Sequence, residues 1–122
     1  MILGIGVDIV DVADLARRLE RDTFLHAFSD GERAYADGLP RRRAGILAAR
    51  WAAKEAFVKA LGTGLRTEWP LREIEVVHDD SGRPTIELGP AVGGLLPGGA
   101  RVHCSLSHTR GCAVAYVVIE RP

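Results

Sequence analysis

The sequence predicts one small domain that mixes helices with strands, and three stretches carry that expectation. ILGIGVDIV (2–10) alternates with period two, as a strand does. Residues 43–61 keep apolar side chains at helical spacing over five turns' worth of chain. RVHCSLSHTRGCAVAYVVIE (101–120) reads as two apolar strands joined at His108, Thr109, Arg110 and Gly111. A chain of 122 residues, 47% hydrophobic and 6% aromatic, fits a single domain over 1–122 with a modest core.

Taken in order, the first strand shows Leu3, Ile5, Val7 and Ile9 on one face and only Gly4, Gly6 and Asp8 on the other. Asp11 offers an N-cap, and Val12, Leu15, Ala16 and Leu19 predict a first helix over 11–21, with Phe24 and Phe28 anchoring the turn after it. The long helix over 43–61 is stopped by Gly62 and Gly64. LREIEVVHDDSGRPTIEL (71–88) reads as two strands about a turn at Ser81, Gly82, Arg83 and Pro84. PAVGGLLPGGA (90–100) is a weak helix at best, because its glycines lower helical propensity.

Charge narrows the function classes. The chain is neutral overall, yet residues 1–40 carry eight acids and four bases, 41–66 carry seven bases against Glu55, and 67–122 return a net of −2. The middle third therefore favours an anion, unless its Arg41–Arg43 run is only a solvated face. A nucleic-acid surface built on that run lacks interleaved aromatic residues, so no nucleic-acid partner is expected. No stretch is apolar enough to span a bilayer and the N-terminus lacks a secretory pattern, so a cytoplasmic protein with no membrane partner is expected. Cys104 and Cys112 lack metal-ligand spacing and are read as reduced packing residues.

On a helical projection, Ile46, Leu47, Trp51, Ala53, Phe57, Val58, Ala60 and Leu61 fill one broad apolar arc, and Arg50 and Lys54 fall inside it. Two cations four residues apart on a packed face want an anion against them, or else snorkel to water. Glu55 and Lys59 on the adjoining flank form either an i, i+4 ion pair or part of a site. Asp8 bears on that choice. Glycines in a strand interior mark the close approach of another backbone or a ligand, here beside a carboxylate that is otherwise a cap or turn residue. Asp8 and Glu55 together would make the carboxylate pair of a Mg²⁺ site whose remaining ligands are water and phosphate.

The chain resembles the holo-acyl-carrier-protein synthases, the small 4′-phosphopantetheinyl transferases, in GIGVDIVDV, ARWAAKEAFVKALGTG, GRPTI and SLSHT, in the same order over nearly its whole length. The resemblance implies an α+β fold of the 4′-phosphopantetheinyl transferase type, with a small antiparallel sheet packed against the long helix. It also implies a homotrimer with composite sites between neighbours. The implied reaction moves the phosphopantetheine arm of coenzyme A to a serine of an apo acyl carrier protein or carrier domain and releases adenosine 3′,5′-bisphosphate. Asp8 and Glu55 become ligands of Mg²⁺, or alternatively Mn²⁺, and Lys59 approaches the pyrophosphate. Arg50 and His108 match positions near the nucleotide 3′-phosphate, and Lys54 joins the coenzyme A contacts. Metal ligand and phosphate clamps are thus expected along one edge of the helix. Gly62 and Gly64 let the next loop pass close to the ligand, the Gly82, Arg83 and Pro84 turn flanks the adenine, and Ser107 and Thr109 are further contacts. The serine proton goes either to Glu55 or to a water on the metal.

Two points stay open. A binding module that holds coenzyme A without turning it over would use the same basic residues and glycines, and only the carboxylate pair argues against it. Asp14 stands where many family members carry an arginine that meets the acidic carrier, so docking is expected one turn along, at Arg17, Arg18 and Arg21, with His26 at a second such position.

Overall fold

A strand with one apolar and one bare face ordinarily buries the apolar one, but the first strand here does the reverse. The computed structural model describes residues 1–62 and 70–122. Strand β1 (Ile2–Asp11) pairs antiparallel with β5 (Cys112–Glu120), which pairs antiparallel with β4 (Arg101–His108), giving the order β1-β5-β4. The long helix α4 (Arg43–Leu61) lies across the face that carries Gly4, Gly6 and Asp8. A Cβ at Gly4 would stand 1.9 Å from the Ala60 carbonyl oxygen, and one at Gly6 would stand 1.9 Å from that of Ala56. The glycines are thus spaces filled by helix backbone, and alanines 52, 53, 56 and 60 keep the helix side of the contact equally thin. Ala115, Val117 and Ile119 of β5 complete this core with Phe57 and Val58. The outer face is left bare: Ile5, Val7 and Ile9 are more than half exposed, and Tyr116, paired with Val7, is exposed beside them.

The remaining elements wrap the helix. Asp11 caps α1 (Val12–Arg18) by accepting from the Asp14 amide at 2.9 Å. The predicted first helix over 11–21 therefore ends three residues early. The chain turns through the short α2 (Asp22–Leu25), which brings Phe24 to 4.8 Å from Trp51 between ring centroids and packs Phe28 beside both. Strands β2 (Ile74–His78) and β3 (Pro84–Leu88) form a separate antiparallel pair, as expected, and the glycine-rich segment 90–100 holds only a single helical turn, α5 (Pro90–Gly93). Gly62, at φ 78°, ends α4 in the left-handed region that favours glycine. Cys104 and Cys112 are free thiols, and burial pushes the Cys104 thiol up to about 11, where it stays protonated and inert. No helix among the described residues is long and apolar enough to cross a membrane.

Helix α3 (Asp30–Asp37) is absent from the sequence reading, yet it docks through the most buried charges in the fold. Ser29 and Glu32 form a capping box, in which the Ser29 hydroxyl accepts from the Glu32 amide at 3.1 Å and the Glu32 carboxylate accepts from the Ser29 amide at 2.9 Å. The same carboxylate accepts from Lys54 Nζ at 2.7 Å and from the Val76 amide at 3.0 Å. Lys54 also donates to the carbonyls of Leu71 and Ile74, at 3.1 and 2.5 Å. Burial draws the Lys54 ammonium below its usual range and Glu32 opposes that shift, which is why the pair survives in the core.

Gly6→Ala forces β1 and α4 apart and should lower the unfolding free energy by about 3 kcal/mol in a denaturant titration. Gly45→Ala, with open space about its Cβ, should cost nothing and gain up to about 1 kcal/mol. Lys54→Met strands the Glu32 carboxylate and should cost about 3 to 5 kcal/mol, most of it recovered when Glu32→Gln is added.

Candidate active site

Because β1 and α4 meet backbone to backbone, the side chains at the end of the glycine face must fit beside the helix flank. Asp8, two residues after Gly6 and on the same face, therefore stands against Glu55. Burial raises the Glu55 pKa and the Asp8 charge raises it further, while Lys59 and Arg18 pull it down. Lys59, one turn beyond Glu55, donates to Asp8 Oδ1 at 3.2 Å and to the Val7 carbonyl at 3.0 Å, so its ammonium is pinned at the edge of the pair. The pair opens into a cleft of about 280 Å³ lined by Asp8, Asp11, Asp14, Arg18, Trp51 and Glu55. Arg18 is laid over the rings of Phe24 and Trp51, 4.3 and 5.0 Å from their centroids, which fixes a guanidinium beside the carboxylates.

This donor set fits one kind of metal. The described residues hold no group of three or more His, Cys, Asp or Glu side chains that could cage an ion. Two oxygen donors beside open space suit a hard cation that keeps waters and takes the rest of its shell from a ligand, as Mg²⁺ does. They do not suit a closed zinc site. Burial and the Asp8 charge both disfavour a charged Glu55, and such a cation would offset them.

A second, larger cleft of about 500 Å³ lies around Arg50. Its basic lining comprises Arg41, Arg42, Arg50, His78, His108 and Arg110, and no carboxylate stands among the described residues that line it. Arg50 is 4% exposed, its Nε is buried without a partner, its Nη2 stands 3.5 Å from His78 Nδ1, and its Cζ lies 4.8 Å over the Tyr35 ring. Burial pulls the Arg50 pKa down, with Glu32, Tyr35 and Glu75 opposing. A buried guanidinium with an unused donor, in a cleft whose described lining holds no carboxylate, is built to receive an anion.

The two cations of the helix arc are thus separated by the fold. Lys54 finds its anion inside the protein, at Glu32, and enters neither cleft. Arg50 has none of its own at bonding distance among the described residues. Arg50 and Glu55 are five residues apart, roughly 7.5 Å along the helix and about 140° around it, so the clamps do not share one edge as the sequence suggested.

Other candidates are distributed unevenly. His108, Thr109, Gly82 and Pro84 line the Arg50 cleft, and Thr109 Oγ1 also accepts from the amides of Gly111 and Cys112, which holds the β4–β5 turn. Arg83 points away to Asp79, and Ser107 sits on the exposed outer face opposite Val114. Gly62 is the cap of α4, and Gly64 lies outside the described residues. In α1, Arg17 pairs with Asp14, whereas Arg21 and His26 are exposed. The sequence reading missed Tyr35, His78 and Arg110, and saw in Arg41 and Arg42 only a basic run whose use was open. Of these, only the arginine run left a local signal.

Comparison with known proteins identifies the family. The 4′-phosphopantetheinyl transferase superfamily profile matches residues 4–117. The holo-[acyl-carrier-protein] synthase of Trichlorobacter lovleyi is 45% identical over 128 aligned positions, covering all of both chains. Among solved structures, the holo-[acyl-carrier-protein] synthase of Neisseria meningitidis superposes with a TM-score of 0.89 at 36% identity, covering 99% of this chain and 100% of that one. The coenzyme A complex of the Chronobacterium ammoniagenes enzyme gives 0.85 at 33% identity, covering 98% and 97%. A profile match over nearly the whole chain, with full-length relatives at this identity, establishes that the chain belongs to the 4′-phosphopantetheinyl transferase superfamily.

Proposed function

We propose that the protein transfers the 4′-phosphopantetheine arm of coenzyme A to a serine of an apo acyl carrier protein or carrier domain, releasing adenosine 3′,5′-bisphosphate. The observation that carries this reading is the Asp8–Glu55 pair with Lys59 at its edge, beside the same helix that carries Arg50 into a cleft with no carboxylate among its described lining residues. A module that only held coenzyme A would need the second feature and gain nothing from the first.

In the reaction the serine Oγ forms a bond to the β-phosphorus of the pyrophosphate. The bond from that phosphorus to the bridging oxygen breaks, the oxygen leaves with the nucleotide, and the serine proton passes to Glu55 or to a water at the site. Mg²⁺ held by Asp8 and Glu55 would supply positive charge to the pyrophosphate oxygens. Lys59, already fixed by Val7 and Asp8, stands ready to stabilise charge on the departing phosphate. Arg50 and His108 hold the 3′-phosphate, and the Gly82–Pro84 turn flanks the adenine.

The assembly belongs to the same proposal. The outer face of Ile5, Val7, Ile9 and Tyr116 is a contiguous apolar surface on a neutral chain, which suits burial against further copies in a homotrimer. The wide angle between Glu55 and Arg50 on α4 suits a composite site in which neighbouring copies contribute one cleft each. The carrier docks along α1 and the turn after it, at Arg18, Arg21 and His26, with Arg17 partly spent on Asp14.

The test separates the two halves of the site. Asp8→Ala and Glu55→Gln should each abolish transfer to an apo carrier while leaving the assembly folded, and full activity in either would contradict the carboxylate role. Arg50→Ala and His108→Ala should weaken coenzyme A more than dephospho-coenzyme A, which lacks the 3′-phosphate. Equal losses for both ligands would remove that assignment.

A further inference from the structure

The Arg50 cleft holds a second imidazole besides His108, and its position gives it a role of its own. His78 ends β2, with its ring 5.7 Å from that of Tyr35 at an interplanar angle of 34° and its Nδ1 3.5 Å from Arg50 Nη2. Side chains from α3 and β2 thus close on one cation of α4. A guanidinium carries donors and no acceptor, so Arg50 faces the lone pair of Nδ1 and selects the neutral ring with its proton on Nε2.

The charges around this ring are unbalanced. Arg41, Arg42, Arg110 and His108 line the same cleft. Asp79, next in the chain, is bound by Ser81 and by Arg83, and Glu32 and Glu75 act on Arg50. Burial and Arg50 together hold the imidazole below its usual value, and Asp79 opposes them. A phosphate monoester at Arg50 brings close to two negative charges at neutral pH, which reverses the sign of the field at the ring.

We propose that His78 is a proton-linked phosphate ligand: when the phosphate monoester of the nucleotide settles against Arg50, His78 takes a proton from solvent and holds the phosphate as a second cation. This rests on the reading of the cleft as the seat of the 3′-phosphate of coenzyme A. One proton passes from the buffered solvent to Nδ1, the unprotonated nitrogen; its 3.5 Å contact with Arg50 Nη2 is given up as both cations turn to the phosphate, and no covalent bond of the ligand changes. The free ring is neutral and the bound ring charged, so affinity for the 3′-phosphate strengthens as pH falls through the interval between the two values. The phosphate itself gains a proton only near pH 6, so the linkage is read at about pH 7, above that loss.

The experiment is calorimetry of coenzyme A and dephospho-coenzyme A binding at about pH 7, in two buffers of different ionisation enthalpy, without carrier protein. The wild-type protein should take up measurably more of a proton with coenzyme A than with dephospho-coenzyme A. His78→Gln should lose that difference yet still prefer coenzyme A, and His78→Lys, with a permanent charge, should prefer coenzyme A with no extra proton. Two results would overturn the role of His78 alone: a wild-type preference for coenzyme A without extra uptake, or extra uptake that persists in His78→Gln. Equal affinity of the wild-type protein for the two ligands would overturn the phosphate reading of the cleft, and this proposal with it.

Discussion

The contact between two backbones, Gly4 and Gly6 of β1 against Ala60 and Ala56 of α4, is the constraint on which the rest of the structure depends. Any side chain at either glycine would meet a carbonyl oxygen, so strand and helix are held at a separation that only glycine permits. At that separation Asp8 cannot point at open solvent. It is set beside Glu55 and Lys59, which the helix presents one turn apart. The same choice explains the inverted strand: the bare face is inside because backbone fills it, and the apolar face is left for something else to cover.

Long-range pairing then sorts the charges of α4. Lys54 is saturated by Glu32 and two carbonyls, so it fastens α3 and the start of β2 to the helix and contributes no free charge to either cleft. Arg50, one turn earlier, is surrounded by aromatic, imidazole and guanidinium groups and keeps an unused donor. Two residues of like charge at a helical spacing of four thus serve opposite ends. One holds the fold and the other holds a ligand, and the difference lies in which of them α3 reaches.

That difference bounds what the sequence could disclose. The long helix was legible to the residue, because its apolar arc is wide and Gly62 stops it, and the strands within 2–10, 71–88 and 101–120 were legible from alternation, apolar runs and turn residues. The close approach at Gly4 and Gly6 was readable as a need, since glycine in a strand interior asks for a reason. Helix α3 was overlooked because its eight residues are mostly polar, although Ser29 and Glu32 spell a capping box that could have marked its start. Glu32 reads as a surface acid until Lys54, 22 positions away, is seen to need it. Tyr35 and His78 have no local signature at all. Their part depends on reaching Arg50 from other elements, and pattern along the chain does not encode that.

If the glycine contact builds a divalent-cation site from Asp8 and Glu55, an ion belongs between the two carboxylates. An anomalous difference map from crystals grown with Mn²⁺ and coenzyme A would locate it. One strong peak is expected at roughly 2.1 Å from a carboxylate oxygen of each residue, with a pyrophosphate oxygen on the same ion. A bound pyrophosphate with the Mn²⁺ peak elsewhere, or with none between Asp8 and Glu55, would contradict it.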